Sequence, residues 1–352
     1  MINFQQYTNL TNVVIPNSIN ISNNNFSNTF RSQYNLQTIT FPSSKIGNMS
    51  YMFANCTNLT SSPVCGASVT NMRNAYSNCH GIKSSPACGA NVTDFSYAYY
   101  NCSNLTGSPV CGAKVTNMVN SYTRCTNLTG APVCGANVTS MRYAYGDSGV
   151  TGNAACGTRV TDFSYAYEGC NNIINAVCGS AVTNMSHSYD GCSSLKTSAC
   201  GAMVTNMYWA YENCYSLTGT AKCGARVNDF RYAYRNCRNI TTGECGNNVS
   251  NMSCAYLGCY NLVNAVVGTN VQNIVQAFSG CNKIKNVNIY SNNVSAATNA
   301  FFMRNNSVRL NIRMYSGTTT YTTVKNLWPT LTWSTGTNYI YNTTQNIYLY
   351  NF

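Results

Sequence analysis

Residues 92–112 read VTDFSYAYYNCSNLTGSPVCG, and the recurrence of this unit decides the fold. The same frame restarts at intervals of 22 or 23 residues over most of the 352-residue chain. It begins at twelve positions, namely Ile46, Val69, Val92, Val115, Val138, Val160, Val182, Val204, Val227, Val249, Val271 and Val294. A fixed period of this length is the signature of a solenoid, whose stacked coils share a core that no single coil could bury.

Within each coil, apolar residues recur at fixed offsets from the starting Val or Ile. In the quoted unit these are Phe95, Ala98 and Tyr99, at offsets three, six and seven. Such offsets mark one face of a short helical turn, and Asp94 before it is a good N-cap residue. Leu105 then leads into a short extended segment that ends in the second Cys and a Gly suited to positive φ. We therefore expect an α/β repeat solenoid, with one short strand and one short helical turn per coil.

Nineteen of the 20 cysteines fall into two columns of the repeat, and Cys254 lies outside both. Where a coil lacks one of its two cysteines, Ser148 or Val267 takes the place. Ser and Val replace a small buried side chain, whereas losing half of a disulfide would leave the other half without purpose. Spacings of eight or nine residues also lack the close pairs of a zinc site. The sequence therefore predicts ladders of reduced, buried thiols, with disulfides as the alternative.

The composition argues against several classes of function. Charged residues make up 8% of the chain, and its net charge of +12 includes no basic run, so we expect no nucleic-acid partner. No stretch approaches the length of an apolar span, so we expect no membrane insertion. His187 lies in a variable column and is expected at the surface, and the acidic residues are spread along the chain. We therefore predict no enzyme activity, no metal site and no cofactor.

Two segments carry a family resemblance: residues 48–60, NMSYMFANCTNLT, and residues 276–289, QAFSGCNKIKNVNI. The array over roughly residues 10–302 resembles BspA-like leucine-rich repeats, with an aromatic residue, then Cys, then Leu or Ile three further on. The resemblance implies a leucine-rich-repeat fold and the role of a bacterial cell-surface adhesin; similar arrays occur in proteins of gut bacteriophages. The middle coils depart from the pattern, because Tyr replaces Phe and the strand residues are mostly Gly, Ser, Pro and Cys.

The N-terminal residues lead us to expect a virion protein of bacteriophage type. They carry no basic and apolar secretory leader, and no anchor is recognisable at the other end. A virion component assembles in the host cytoplasm, which also suits reduced thiols. The expected function is that of a fibre or appendage component whose partners are other virion proteins or a host cell-surface glycan or protein. A BspA-like adhesin on the bacterial cell surface is the alternative.

Three segments are expected along the chain: a capping strand at 1–22, the solenoid at 23–302, and a small β-rich cap or docking element at 303–352. The last segment contains no Cys and carries alternating apolar residues. Since solenoid ends need covering, it serves as a cap or, alternatively, joins chains into a homo-oligomer.

The candidate binding surface follows the column five residues after each coil start and the positions beside it. This surface is rich in Tyr, Trp and Arg, the residue types that dominate binding hot spots. The candidate residues are Tyr97, Arg142, Tyr143, Tyr165, Tyr208, Trp209, Arg231, Tyr232 and Arg235. The alternative is a solvated helical face on which stacked Tyr rings add rigidity.

Overall fold

The computed structural model describes residues 4, 6–16, 18, 24–60, 62 and 65–352. It divides into two compact units, Met1–Ser180 and Ala181–Phe352. Both are built from turns of a β-solenoid, about 13 in all. Part of the predicted capping segment lies outside the described residues, namely 1–3, 5, 17 and 19–22. The predicted three-segment division stays a prediction.

Among its described residues, the first unit has two pairs of short parallel strands and the 3₁₀ turn at Ser43–Lys45. These elements are β1 (Asn12–Val14) paired with β2 (Thr38–Thr40), β3 (Gly152–Asn153) paired with β4 (Ile173–Asn175), and the turn Ser43–Lys45. Successive coils are also joined by single parallel bridges at offset two, as between Asp94 and Asn117. The Asp94 carboxylate accepts a hydrogen bond from the Ser96 N–H (3.0 Å), so the predicted N-cap residue begins a turn.

The second unit carries an eight-stranded sheet and a short helix. In chain order the elements are β5 (Thr218–Lys222), β6 (Asn239–Glu244), β7 (Asn264–Val267), β8 (Asn286–Ile289), β9 (Leu310–Met314), α1 (Thr319–Lys325), β10 (Ser334–Thr335), β11 (Tyr339–Asn342) and β12 (Ile347–Asn351). The strand order is β10-β11-β12-β9-β8-β7-β6-β5. Strands β5 to β9 are parallel, and β12 joins β9 in parallel, whereas β10, β11 and β12 pair antiparallel.

The short helical turn expected in each coil is wrong, because the main chain there bonds between coils. In the coil that starts at Val92, the Ala98 N–H donates to the Phe95 carbonyl of its own coil (3.2 Å). The Tyr97 N–H instead donates to the Val119 carbonyl of the next coil (2.8 Å). An α-helix needs each N–H to reach the carbonyl four residues back. Among the described residues the one α-helix is α1, and no helix there could span a bilayer.

Consecutive β-turns take the place of the helical turn. Tyr97 and Asn101, at offsets five and nine, have φ of 56° and 57°. They are the third residues of the turns 95–98 and 99–102, each closed by a hydrogen bond from its fourth residue to its first. Positive φ at the third residue is the arrangement of a type II turn. Each coil is therefore a chain of turns whose remaining N–H groups hold the next coil.

The repeat columns form the core of each unit, as the sequence predicts. Phe95, Tyr99 and Leu105 are fully buried, and their counterparts in other coils are buried in the same way. The rings at offset seven stack along each unit, as Tyr99 does on Tyr122 with 5.8 Å between ring centroids and 4° between ring planes. Stacking of whole coils is what buries these side chains.

Buried Tyr hydroxyls bind main-chain groups of the middle coils. The Tyr122 hydroxyl accepts from the Val110 N–H (3.0 Å) and donates to the Val110 carbonyl (2.7 Å). The Tyr99 hydroxyl does the same at Ala87 (2.8 and 3.0 Å). In these coils the Tyr side chain therefore supplies main-chain hydrogen bonds of the kind that strand pairing gives elsewhere.

All twenty cysteines lie in the described part of the chain and are free thiols. First-column thiols are buried and donate to main-chain carbonyls, as Cys102 does to Tyr76 and Cys125 to Tyr99 (both 3.0 Å). A disulfide would remove these donors. The thiols therefore behave as small buried side chains with a defined hydrogen bond.

The Gly after the second Cys is required by close packing, so the expectation of positive φ there is wrong. Gly112 does not have a left-handed backbone. A Cβ added to Gly112 would lie 2.7 Å from the Gly89 carbonyl oxygen of the preceding coil. Only Gly allows neighbouring coils to approach this closely.

Candidate binding surface

The candidate residues divide between the two units: Tyr97, Arg142, Tyr143 and Tyr165 in the first, and Tyr208, Trp209, Arg231, Tyr232 and Arg235 in the second. The aromatic residues at offset five have left-handed backbones, with φ from 53° at Tyr143 to 58° at Tyr165. This conformation follows from their place as the third residue of a β-turn. The rings are half-buried on the outer side of the coils, and Arg142 is exposed.

In the first unit, the candidate residues line or adjoin a surface cavity of about 370 Å³. Tyr97, Tyr100, Arg142 and Tyr143 contribute to its wall. Tyr143 also stacks on Tyr165, with 4.3 Å between ring centroids, and the Arg142 guanidinium lies 5.7 Å from the centre of the Tyr143 ring. The first cluster is defined as Tyr97, Tyr100, Arg142, Tyr143 and Tyr165.

A second cavity of about 450 Å³ also includes Tyr143 in its wall. It adds charged groups, because Arg124, Asp147 and Glu168 line it and the Arg124 Nε lies 4.0 Å from the Asp147 Oδ2. Burial, followed by the negative charge of Glu168, raises the pKa of Tyr143 to about 12. The Tyr143 hydroxyl therefore remains a hydrogen-bond donor far above neutral pH.

In the second unit, Trp209 is the centre of an aromatic group. Its ring centroid lies 4.8 Å from that of His187, 5.5 Å from that of Tyr208 and 5.4 Å from that of Tyr232. The Trp209 indole N–H is buried and has no acceptor among the described residues. The second cluster is defined as His187, Tyr208, Trp209, Glu212, Arg231, Tyr232 and Arg235.

Carboxylates hold both arginines of the second cluster in place. Arg231 binds Asp229 through two hydrogen bonds (2.9 and 2.7 Å), and its guanidinium lies 4.8 Å from the centre of the Tyr208 ring. The Arg235 Nη1 lies 3.1 Å from the Glu212 Oε1. The hydrogen bond to Asp229 raises the pKa of Arg231, so its charge is secure. Paired guanidinium groups lose little further freedom when a ligand binds.

Sequence reasoning missed His187 and Glu212. His187, expected at the surface, is 8% exposed, because its ring lies against Trp209 and its Nδ1 is 3.2 Å from the Asp190 carboxylate. Glu212 is 5% exposed, and burial followed by the Asp190 charge raises its pKa. One signal was available: Asp190, Glu212 and Arg235 occupy offset eight in three successive coils of a charge-poor chain.

Both clusters combine aromatic rings with guanidinium groups. The rings offer apolar faces, and guanidinium groups bind carboxylate and other acceptor oxygens. Side chains that are already half-buried and paired need little ordering when a partner arrives. The arrangement is suited to recognition of a ligand by contact.

Comparison with known sequences identifies the repeat. A family profile described as BspA type leucine rich repeat region matches the chain in six copies, over residues 2–106 and 230–322. The matched residues make up more than half of the chain, and they include repeats from both units. No curated protein matches the chain in sequence.

Two solved structures are similar to this chain. A leucine-rich repeat protein from Bacteroides ovatus ATCC 8483 is 15% identical, with a TM-score of 0.57 over 89% of this chain and 81% of its own. A leucine rich cell surface protein from Faecalibacterium prausnitzii A2-165 is 15% identical, with a TM-score of 0.42 over 80% of this chain and 88% of its own. At this level of identity, the first likeness shows the fold.

Proposed function

Since this chain belongs to the BspA-type leucine-rich repeat family, we propose that it is a non-enzymatic binding protein. The repeats supply a rigid array, and the function lies in side chains placed on it. The first cluster and the second cluster are each a contact surface. Their ligand is a glycan or a protein on the surface to which this protein attaches.

The aromatic residues at offset five carry the proposal, because folding alone would select other residues there. A left-handed backbone costs a bulky residue roughly 1–2 kcal/mol, and Gly and Asn tolerate it best. Other coils do place Asn at this offset, as at Asn74 and Asn120. Tyr143, Tyr165 and Trp209 have the same backbone without that tolerance. Selection for binding accounts for aromatic side chains at a position where they oppose the backbone.

The proposed setting is a phage virion, in which the protein is a fibre or appendage component. The core of free thiols supports this setting, because a virion protein folds and assembles in a reducing cytoplasm. Membership of the BspA-type family fits the alternative setting, the surface of a bacterial cell. Mass spectrometry of purified particles and of cell envelopes from one culture separates the two. Enrichment in envelopes and absence from particles would overturn the virion setting.

Binding is tested with Trp209→Ala and Arg231→Ala. Each removes a central side chain of the second cluster, so retention on envelope preparations or purified virions should fall by about tenfold or more. The control is Gln276→Ala, which alters the same offset with a left-handed backbone (φ 53°) outside both clusters. Its retention should equal that of the wild type. Equal retention of all three variants, with unchanged melting temperatures, would reject the second cluster as a binding surface.

A further inference from the structure

Arg304 interrupts the first column of cysteines at the end of the array. Offset ten holds Cys in ten coils and Ser148 in one, but the coil that starts at Val294 has Arg304 there. A thiol at this offset stays buried and donates to a main-chain carbonyl, as Cys281 does to Tyr256 (3.2 Å). A guanidinium is too large for that place and needs more partners than a thiol.

The Arg304 guanidinium is bound by main-chain oxygens. Its Nη1 donates to the carbonyls of Val308 (3.2 Å) and Asn305 (3.5 Å), and its Nη2 donates to the Gln345 carbonyl. Within residues 65–352 no carboxylate forms an ion pair with it, unlike Arg231 and Arg235. Burial lowers the pKa of Arg304 to about 10. The charge is thus partly desolvated without a negative neighbour, which is costly.

A cavity of about 390 Å³ opens beside Arg304, and apolar side chains line it together with Asn299, Asn306 and Gln345. Phe301 and Trp328, whose rings stack at 6.0 Å, form part of its wall. Phe302 and Met303 also line it, and they are 56% and 70% exposed. Large apolar side chains this exposed beside a cavity are typical of an interaction site.

We propose that this cavity is a docking site for a partner protein that inserts an acidic side chain flanked by apolar side chains. The inserted carboxylate pairs with the Arg304 guanidinium, which has five N–H donors and gives three of them to main-chain carbonyls. The flanking apolar side chains cover Phe302 and Met303. A small carboxylate bound inside the cavity would leave both side chains exposed to water. This site is separate from the two clusters, so it can hold a structural partner while the clusters hold a ligand.

Peptide selection tests the site on the full-length chain. A library of random heptapeptides is selected in parallel against the wild type and against Arg304→Gln. The wild type should enrich peptides with Asp or Glu beside Phe, Leu, Ile or Met, and the variant should not. An enriched peptide is then titrated against its twin, in which Asn or Gln replaces the acid. The acidic peptide should bind the wild type about tenfold more tightly than its twin, and the ratio should fall to about one in Arg304→Gln.

Phe302→Ser is a second test variant, used in case Arg304→Gln disturbs the fold. Phe302 is exposed, so the variant should melt like the wild type while binding both twin peptides several-fold more weakly. Equal affinity for the two twins, or enrichment of peptides without acids, would overturn the proposal. Acetate that competes as well as the peptide would reduce the site to a small-carboxylate pocket. Self-association that Phe302→Ser abolishes would assign the surface to a second copy of the chain and overturn the proposal as well.

Discussion

At Tyr97 the backbone conformation and the proposed binding role favour different residue types. Its φ of 56° favours Asn or Gly, whereas its ring belongs to the first cluster. Tyr97→Asn should leave the free energy of unfolding unchanged or raise it by up to about 1 kcal/mol, while Tyr97→Val should lower it by about 1–2 kcal/mol, because branching at Cβ opposes a left-handed backbone. Urea denaturation of both variants measures the difference.

The same pair of substitutions at Tyr100 is the control. Tyr100 belongs to the same cluster but does not have a left-handed backbone. The advantage of Asn over Val should therefore vanish there. Equal stability of Tyr97→Asn and Tyr97→Val would mean that the backbone does not decide the stability at this offset.

Burial could be predicted for residues of the core columns but not for His187. Phe95 and Tyr99 recur as apolar types at fixed offsets, which is enough to place them inside. The burial of His187 depends on the neighbouring coil, where Trp209 covers its ring and Asp190 binds its nitrogen. A column of mixed residue types carries no such information.

At the scale of the coil, the buried Tyr hydroxyls form main-chain hydrogen bonds of the kind that a paired strand would form. Tyr122→Phe removes the hydroxyl that binds both main-chain groups of the half-buried Val110 and leaves its N–H and carbonyl without that partner. The free energy of unfolding should fall by about 1–3 kcal/mol. Tyr143→Phe is the control, because its half-buried ring is on the outer surface. Denaturation curves that coincide for Tyr122→Phe and the wild type would contradict this role.

The segment of consecutive turns was predicted to be a helical turn because both structures have the same spacing of buried residues. Phe95, Ala98 and Tyr99 face the core at spacings of three and one, which a helical turn and a pair of four-residue turns share. The distinction depends on acceptors in the next coil, such as the Val119 carbonyl that receives the Tyr97 N–H. The sequence of one coil contains no record of those bonds. Coil length, core columns and family could be predicted, but the conformation of this segment could not.

For the whole molecule, the twenty free cysteines predict how many thiols react with a reagent and how fast they react. A thiol reagent should find close to 20 thiols in protein denatured without reductant, whereas native protein should react slowly at pH 8. The thiolate is the reactive form, and burial raises the pKa of Cys102 from 9.0 to about 12. A much lower count in denatured protein would show disulfides instead.

The same shift links stability to pH. Between about pH 9 and pH 12 the Cys102 thiol ionises in the unfolded chain but keeps its proton in the folded one. The unfolded state then binds fewer protons, so the free energy of unfolding falls as pH rises through this range. Cys102→Ser places a hydroxyl at this offset, where Ser148 has one naturally. The free energy of unfolding of this variant should fall less steeply over the same pH range. Denaturant titrations at several pH values, with reductant present, measure the difference.

Bonds between coils at constant offsets have a consequence for how the protein changes over generations. A coil presents main-chain donors to one neighbour and main-chain acceptors to the other at the same positions each time, as at Tyr97 and Val119. Unequal crossover that deletes or duplicates one repeat of the gene therefore keeps donors and acceptors in register. Coils that bear aromatic clusters can be copied, lost or shuffled as whole pieces. Recombination, and not point mutation alone, can recompose the surface of this protein.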